Sequence, residues 1–500
     1  MMLGAVPTSV PQFILLGNWL LEGKFKNKWQ RLRSNPVFWS VISLFWMHVI
    51  GIAWSHSFGA ACDDLRIKVP LFFLALVFFG SAPLSKKEFH GVLICFLAGA
   101  FCNTAWCLAY NFVLYHNQVG RDASRFMSHI RLGMYLNMAI ASCVYLAAQT
   151  QKFRIKALLI LLGFYFIFIM FVLGLASGLS MFFILCLLGL CVIIYSQKNW
   201  VKLISALLLA GLALLVANYI LKVKSEQLDV RAVKNNTLLK VNEAGHEYIY
   251  LDTLTKQKEN GNYVMINIQM NELKRVWQRE FPADSFSYDP QHNLKRFDVL
   301  LRYLASKGLN KDSAALAQLS AEDKGNIQKD ISNYKYPQWN YLHKRTYELV
   351  NEYDEFMHHR NVNGHSMSMR PYFWKAAWHV IGQHPLFGVG TGDVQQQLEA
   401  AYDQTQSPLR PEWHKRPHNQ FLTVLVSLGV AGLLVLLFSI FYPVAYLRRD
   451  LPALFWPFLA ISLVSFLTED TLESQAGLTF YAVFSTLFLS VAWFRKNISV

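Results

Sequence analysis

Long apolar runs recur along this chain of 500 residues, and they constrain its fold more than any other feature. The runs at 157–176, 203–221 and 476–494 have the roughly 18–25 residues that a helix needs to cross about 30 Å of hydrocarbon. They lack the polar stripe that a helix half-buried in a soluble core would show. Charged residues make up only 16% of the chain, against about a quarter in soluble domains. The runs predict spans over 5–21, 37–54, 69–84, 90–112, 131–150, 157–175, 180–196, 203–221, 418–443, 452–468 and 476–494. The expected fold is an α-helical integral membrane protein of about eleven transmembrane helices, with the lipid bilayer as its solvent.

The formal net charge of +15 raises the question of a nucleic-acid partner, and its distribution answers it. Basic connections at 24–33 (KFKNKWQRLR), 86–87, 152–156, 198–202, 448–449 and 495–496 alternate with acidic or weakly charged ones at 55–68, 115–129, 176–178 and 469–475. Lys and Arg are retained on the cytoplasmic side, so the charge reports topology and no nucleic-acid partner is expected. The long segment 223–416 holds 25 Lys and Arg against 23 Asp and Glu, nearly balanced. Seven cysteines, all but Cys62 within apolar runs, offer neither a disulfide framework nor zinc spacing.

Three parts follow: a membrane bundle at 1–222, a large external loop domain at 223–416 and a second bundle at 417–500. The loop domain is expected to be mostly helical after a polar start with strand-like stretches at 248–251 and 263–268. Phe297, Leu300, Leu301 and Leu304 recur at helical spacing in a helix ending near Gly308, and 341–357 reads as another amphipathic helix. Neither internal nor inverted repeats occur, which speaks against the commoner transporter folds.

Chemistry concentrates in 368–430, SMRPYFWKAAWHVIGQHPLFGVGTGDVQQQLEAAYDQTQSPLRPEWHKRPHNQFLTVLVSLGV. Arg370 and Pro371 open a helix with Trp374, Ala377, Trp378 and Ile381 expected on one face. Gly388, Gly390 and Gly392 allow a tight loop, and Asp393 is placed to cap the next helix. The glycines make no nucleotide fingerprint, because no βαβ unit surrounds them. A basic turn (Arg410, His414, Lys415, Arg416) leads to His418 and Asn419 at the end of a membrane helix. Asp63, Asp64, Glu469, Asp470 and Glu473 sit at external helix ends with no spacing that argues for a metal.

This stretch resembles the signature region of the O-antigen ligase/polymerase superfamily. The resemblance lies in the arginine before a Trp-bearing helix, in HPLFGVGTGD, and in HNQFL opening a membrane helix with Gly429 and Gly432 beyond. It implies a metal-independent, inverting glycosyltransferase of GT-C-like architecture, requiring no cofactor. Such an enzyme moves a glycan from undecaprenyl diphosphate to a glycan, lipid A-core or protein acceptor. Its setting is the bacterial cytoplasmic (inner) membrane, with the active site and loop domain facing the periplasm. By resemblance, Arg370 engages the diphosphate and His418 is the essential histidine. The family's mid-chain Ser-Arg pair is missing, since 175–179 reads Leu-Ala-Ser-Gly-Leu. Arg131, Lys415, Arg416 and Asn419 are therefore the further candidates for substrate binding.

The residue types suit that chemistry. A guanidinium gives bidentate, charge-assisted contacts to phosphate oxygens. A histidine, with an unperturbed pKa of about 6.5, can take the proton of an acceptor hydroxyl near neutral pH. The rival reading, a flippase for lipid-linked glycans, predicts charges along the middle of several helices. A membrane sensor would need an internal signalling domain, for which the basic connections are too short.

Overall fold

The computed structural model describes residues 5–110, 124–195, 197–228, 239–242, 244–248, 257–280, 294–339, 341–357, 362–364 and 366–498. The chain forms two compact units, one of Met1–Ser196 with Arg370–Val500 and one of Gln197–Met369. Part of the 115–129 connection, the ends of the 90–112 and 180–196 runs, and 249–251 lie outside the described residues.

The first unit begins with α1 (Ala5–Leu21), α2 (Phe25–Arg33), α3 (Pro36–Ile50), α4 (Phe58–Gly80), α5 (Lys86–Ala109), α6 (His129–Gln149), α7 (Phe153–Val172) and α8 (Ala176–Tyr195). Local chemistry sets several of their starts. Asn35 accepts the Phe38 N–H ahead of Pro36, and Ser85 with Glu88 closes a reciprocal capping box on α5. α6 and α8 approach through glycine. A Cβ on Gly178 would stand 2.7 Å from the Gly133 Cα, so no side chain fits at 178. The Asn137 amide fills the crossing with hydrogen bonds to the carbonyls of Gly133 (2.8 Å) and Gly178 (2.9 Å).

The second unit holds α9 (Asn199–Leu228), a hairpin of β1 (Lys258–Glu259) and β2 (Asn262–Tyr263), and five helices. These are α10 (Met270–Glu280), α11 (Leu294–Ser306), α12 (Ser313–Ala317), α13 (Ala321–Gln328) and α14 (Tyr341–Met357). Leu300, Leu301 and Leu304 of α11 are fully buried with Trp277 and Ile327, as their spacing predicts. α11 ends just before Gly308, which has a φ of 72°. The strand-like 263–268 stretch is a strand only at Tyr263; Ile268 makes an isolated bridge to Lys311 and is buried in the core. Glu259, 1% exposed, pairs with Arg302 at 2.6 Å and accepts from Tyr347 and Asn333. Arg302→Ala leaves that carboxylate buried without its cation, a loss of about 3–5 kcal/mol. The expected result is a clearly lower melting temperature of the purified protein.

The first unit resumes with α15 (Arg370–Gln383), α16 (Val394–Gln404), α17 (Gln420–Leu447), α18 (Phe455–Thr468) and α19 (Gln475–Ile498). α19 is central, its apolar stretch wholly buried. Its hydroxyls at Ser485, Thr486 and Ser490 bond back to carbonyls of their own helix, which is how an apolar interior tolerates them. α3 packs along α17, α4 along α19, and α6 against α7 and α8.

Among the described residues, seven helices are long and apolar enough to cross a membrane: Pro36–Trp54, α5, α6, α7, Asn199–Glu226, α17 and α19. Val10–Leu21, Ala176–Val192 and Phe455–Thr468 are shorter apolar helices. The remaining expected span, 69–84, falls largely on α4, whose first half carries Asp63, Asp64, Arg66 and Lys68. The protein is thus a multi-pass helical membrane protein.

Candidate functional site

The glycine loop after α15 splints a broken helix. Gly429 inside α17 has φ 63° and ψ −161°, which interrupts the i to i−4 ladder. The carbonyls of Val426 and Ser427, freed by the break, accept from Val389 N–H (3.0 Å) and Gly390 N–H (2.9 Å). The N–H groups of Val430 and Ala431 donate in turn to Pro385 (2.9 Å) and Leu386 (3.1 Å). Backbone polar groups inside an apolar bundle must find partners, and the loop supplies them. The approach is close enough that a Cβ on Gly388 would lie 2.5 Å from the Leu428 nitrogen. Asp393 does not cap α16 as expected. Its carboxylate accepts from the His56 and Ser57 N–H groups, both at 2.8 Å, and so caps α4, whose own Ser57 makes no side-chain cap.

α15 also departs from its expected face. Ala377 and Ile381 are buried with Phe373 and Val380, while Trp374 and Trp378 are exposed. The Trp374 indole N–H donates to the Pro417 carbonyl at 3.0 Å, fixing the chain just before His418.

His418 has φ 49°, a left-handed conformation that costs a non-glycine residue about 1–3 kcal/mol and persists only where surroundings enforce it. Asp470 enforces it. One carboxylate oxygen accepts the His418 N–H and the other the Asn419 N–H, each at 3.0 Å. Thr423 donates its hydroxyl to the same carboxylate at 2.6 Å. Burial raises the Asp470 pKa above its usual value, against the Thr423 hydrogen bond and the nearby His418 and Arg416 charges. Asn419 caps α17 by accepting from Leu422 N–H at 3.1 Å, and its amide donates to the Leu467 carbonyl at 3.2 Å.

The His418 ring leans on Phe373, with 5.6 Å between centroids. Its Nδ1 lies 3.2 Å from Glu469 Oε2. An ionised carboxylate only accepts, so Nδ1 carries the hydrogen; when the ring is neutral, Nε2 is the acceptor.

Two arginines converge on the same carboxylate: Arg370 Nη2 lies 3.4 Å from Glu469 Oε1, and Arg131 Nη1 lies 3.4 Å from Oε2. Burial opposes ionisation of Glu469. The His418 hydrogen bond, with the charges of His418, Arg131 and Arg370, outweighs burial and holds its pKa below the usual carboxylate value. The arginines differ in what remains available. Arg131 also reaches Ser474 Oγ (3.0 Å) and the Asp470 carbonyl (3.4 Å). Arg370 gives Nη1 to the His418 carbonyl at 3.3 Å, while its buried Nε has no hydrogen-bond partner among the described residues.

The basic turn is largely spent on the fold. Arg416 pairs with Glu473 (2.7 Å) and Asp64 (3.6 Å), beside buried Lys68 bound to the same two acids. His414 stacks on Tyr402 at 4.3 Å, and the Lys415 carbonyl accepts from the Tyr402 hydroxyl at 2.6 Å while its side chain is exposed. Of the residues predicted from sequence, the structure brings Arg370, His418, Arg131 and Asn419 together and places Arg416 in an adjoining ion-pair cluster. Sequence reasoning missed Glu469 and Asp470 as partners of His418. Their available signal was two consecutive acids at the end of an apolar run. Among the described residues, no three His, Cys, Asp or Glu side chains gather as a metal set.

The fold and site thus define a multi-pass membrane protein with an imidazole, a buried carboxylate and two guanidinium groups clustered where α6, α15, α17 and the α18–α19 connection meet. Residues 331–437 match the family model described as O-Antigen ligase. The match covers Arg370, the glycine loop and His418. That stretch of the chain is similar to the O-antigen ligase family. No curated protein matches the chain.

Proposed function

We propose that this protein is a metal-independent, inverting glycosyltransferase. It moves a glycan from undecaprenyl diphosphate to an acceptor hydroxyl at the periplasmic face of the bacterial inner membrane. The observation that carries the reading is His418, its Nδ1 on Glu469, beside an arginine; among the described residues nothing engages His418 Nε2, and the buried Arg370 Nε has no hydrogen-bond partner. Placement adds support. The cluster lies at the Arg131 end of α6 and the Gln475 end of α19, whereas the basic residues lie at the other ends: 152–156 follow Gln149, Arg495 and Lys496 close α19, and Lys86 and Lys87 open α5. With the basic end cytoplasmic, the site faces outward.

In this mechanism the donor diphosphate lies against Arg370, whose side chain is 19% exposed and whose Nε has no hydrogen-bond partner among the described residues; the guanidinium takes phosphate oxygens. Arg131 is the second cation and holds the 469–474 turn. His418 Nε2 accepts the proton of the acceptor hydroxyl as its oxygen attacks the anomeric carbon from the face opposite the diphosphate. The new glycosidic bond forms as the carbon–oxygen bond to diphosphate breaks. The electron pair leaves with undecaprenyl diphosphate, and the proton stays on an imidazolium facing Glu469.

Glu469 acts here as a positioning residue. Glu469→Gln should lower kcat, since an amide in place of a carboxylate that orients a catalytic imidazole costs up to about 10⁴ in turnover. Donor KM should change far less, and Glu469→Asp should recover part of the rate. Equal losses in the Gln and Asp variants would indicate a merely structural carboxylate.

A deletion strain complemented with the gene tests the function and divides its two forms. Single repeats retained on the carrier without long chains indicate a polymerase, and polymer accumulating on undecaprenyl diphosphate indicates a ligase. Unchanged surface glycan and carrier-linked pools in the deletion strain would reject both.

A further inference from the structure

We propose that Glu473 is a positioning residue for the reaction, tying both flanks of His418 to the turn that carries Glu469 and Asp470. The role rests on the histidine base proposed above. Arg416 stands two residues before the histidine and Gln420 two residues after it. Both reach one carboxylate, whose side chain is only 7% exposed. Arg416 Nη1 lies 2.7 Å from Glu473 Oε2, and Gln420 Nε2 donates to Oε1 at 3.0 Å. Gln420 is fully buried and also links the segments in the other direction, its Oε1 accepting the Leu472 N–H at 2.7 Å. Three acids of one turn thus hold the segment 416–420. Glu473 binds its flanks, Asp470 the backbone at 418 and 419, and Glu469 the imidazole.

α4 supplies a further donor. Lys68 Nζ lies 2.8 Å from Glu473 Oε2 and 2.6 Å from Asp64 Oδ2, its side chain 1% exposed. Arg416 Nη2 stands 3.6 Å from Asp64 Oδ1 as well. Two cations and two carboxylates therefore face one another, and neither pair carries an unmatched charge into the interior. Stability alone does not call for them, because apolar side chains of similar volume often hold a packing as well as a buried ion pair does. What apolar contacts lack is direction. They tolerate sliding of the turn, whereas donors from three segments converging on one carboxylate do not. A misplacement of about 1 Å is enough to cost an enzyme about 10²-fold in rate. His418 Nδ1 and Glu469 Oε2 meet at 3.2 Å, a contact that such a slide breaks.

The test compares the purified full chain with Glu473→Gln and with Gln420→Met, which cuts one flank and changes no charge. Each should lower kcat per folded molecule by about 10- to 100-fold. Donor KM should change far less, because Arg370 keeps its own contacts, and Glu473→Asp should recover part of the rate. Added to Glu469→Gln, either variant should cost little more, since both act on one imidazole. Hydrogen exchange read by mass spectrometry follows the same geometry without turnover. Amides of 416–423 should exchange about tenfold faster or more in the variants, while those of α5 and α7 keep their rates. This second arm scores the positioning even if the wild type transfers no glycan, the result that would sink the proposed function instead. Should Glu473→Gln fail to fold, Gln420→Met is scored on the same measures. Wild-type kcat in the folded variants, losses that multiply with Glu469→Gln, or exchange at 416–423 that rises no more than elsewhere would overturn the role of Glu473.

Discussion

His418→Ala should reduce glycan transfer by about 10²–10⁴, the usual worth of a positioned general base, while leaving the protein inserted and folded. The fold should survive because the His418 ring is partly exposed and the turn is held through the backbone. The His418 and Asn419 N–H groups remain on Asp470 whatever side chain stands at 418. Alanine still has to adopt the positive φ, so some of the local strain persists. Transfer by the purified variant, measured with defined donor and acceptor and normalised to folded protein by its melting curve, gives the check. Wild-type rates in His418→Ala would remove the histidine from the reaction.

The second large effect belongs to Arg370. Arg370→Ala removes the guanidinium whose buried Nε has no partner among the described residues, and charge-assisted contacts to a phosphate contribute about 1.5–3 kcal/mol each. The expected result is at least a tenfold loss in kcat/KM for the donor. Lysine should not restore it, because an ammonium keeps the charge but loses the planar fork. Steady-state kinetics on all three forms distinguish the roles. Recovery by Arg370→Lys would mean that charge alone matters, and unchanged kinetics in Arg370→Ala would exclude a donor contact.

The ionised state of Glu469 links these groups to pH. Its folded pKa is depressed below the ordinary value of 4.5, so the unfolded chain takes up this proton at higher pH than the folded one. Its contribution to stability is therefore present above about 4.5 and lost as pH falls through the folded value. Asp470, shifted upward, works in the opposite direction beside it.

Much of the membrane architecture was legible because spanning a membrane leaves a one-dimensional signature. Residue after residue must be apolar over a fixed length, and the helices of α5, α6, α7, α17 and α19 follow those runs closely. α4 shows where that signature thins. Its first half brings Asp64 and Lys68 into buried ion pairs with Glu473 and Arg416, partners that no local window contains. Arg370 and His418 stood out through motif and chemistry.

Their partner Glu469 did not, because a carboxylate's meaning depends on what folds against it. It sits 51 residues beyond His418 and 338 beyond Arg131. The glycines of the 388–392 loop announced a tight turn. Their use, closing the hydrogen bonds of a helix broken at Gly429, exists only once two distant segments lie side by side. The missing mid-chain arginine has a steric counterpart too, since Gly178 is pressed against Gly133.

The most direct measurement combines stoichiometry with stereochemistry. Purified protein in EDTA is given a defined undecaprenyl-diphosphate-linked glycan and its acceptor, and the new linkage is read by NMR. The account predicts one undecaprenyl diphosphate released per glycan transferred, with inverted anomeric configuration and no loss of rate in the chelator. Retained configuration, or a rate that returns only with a divalent ion, would contradict it.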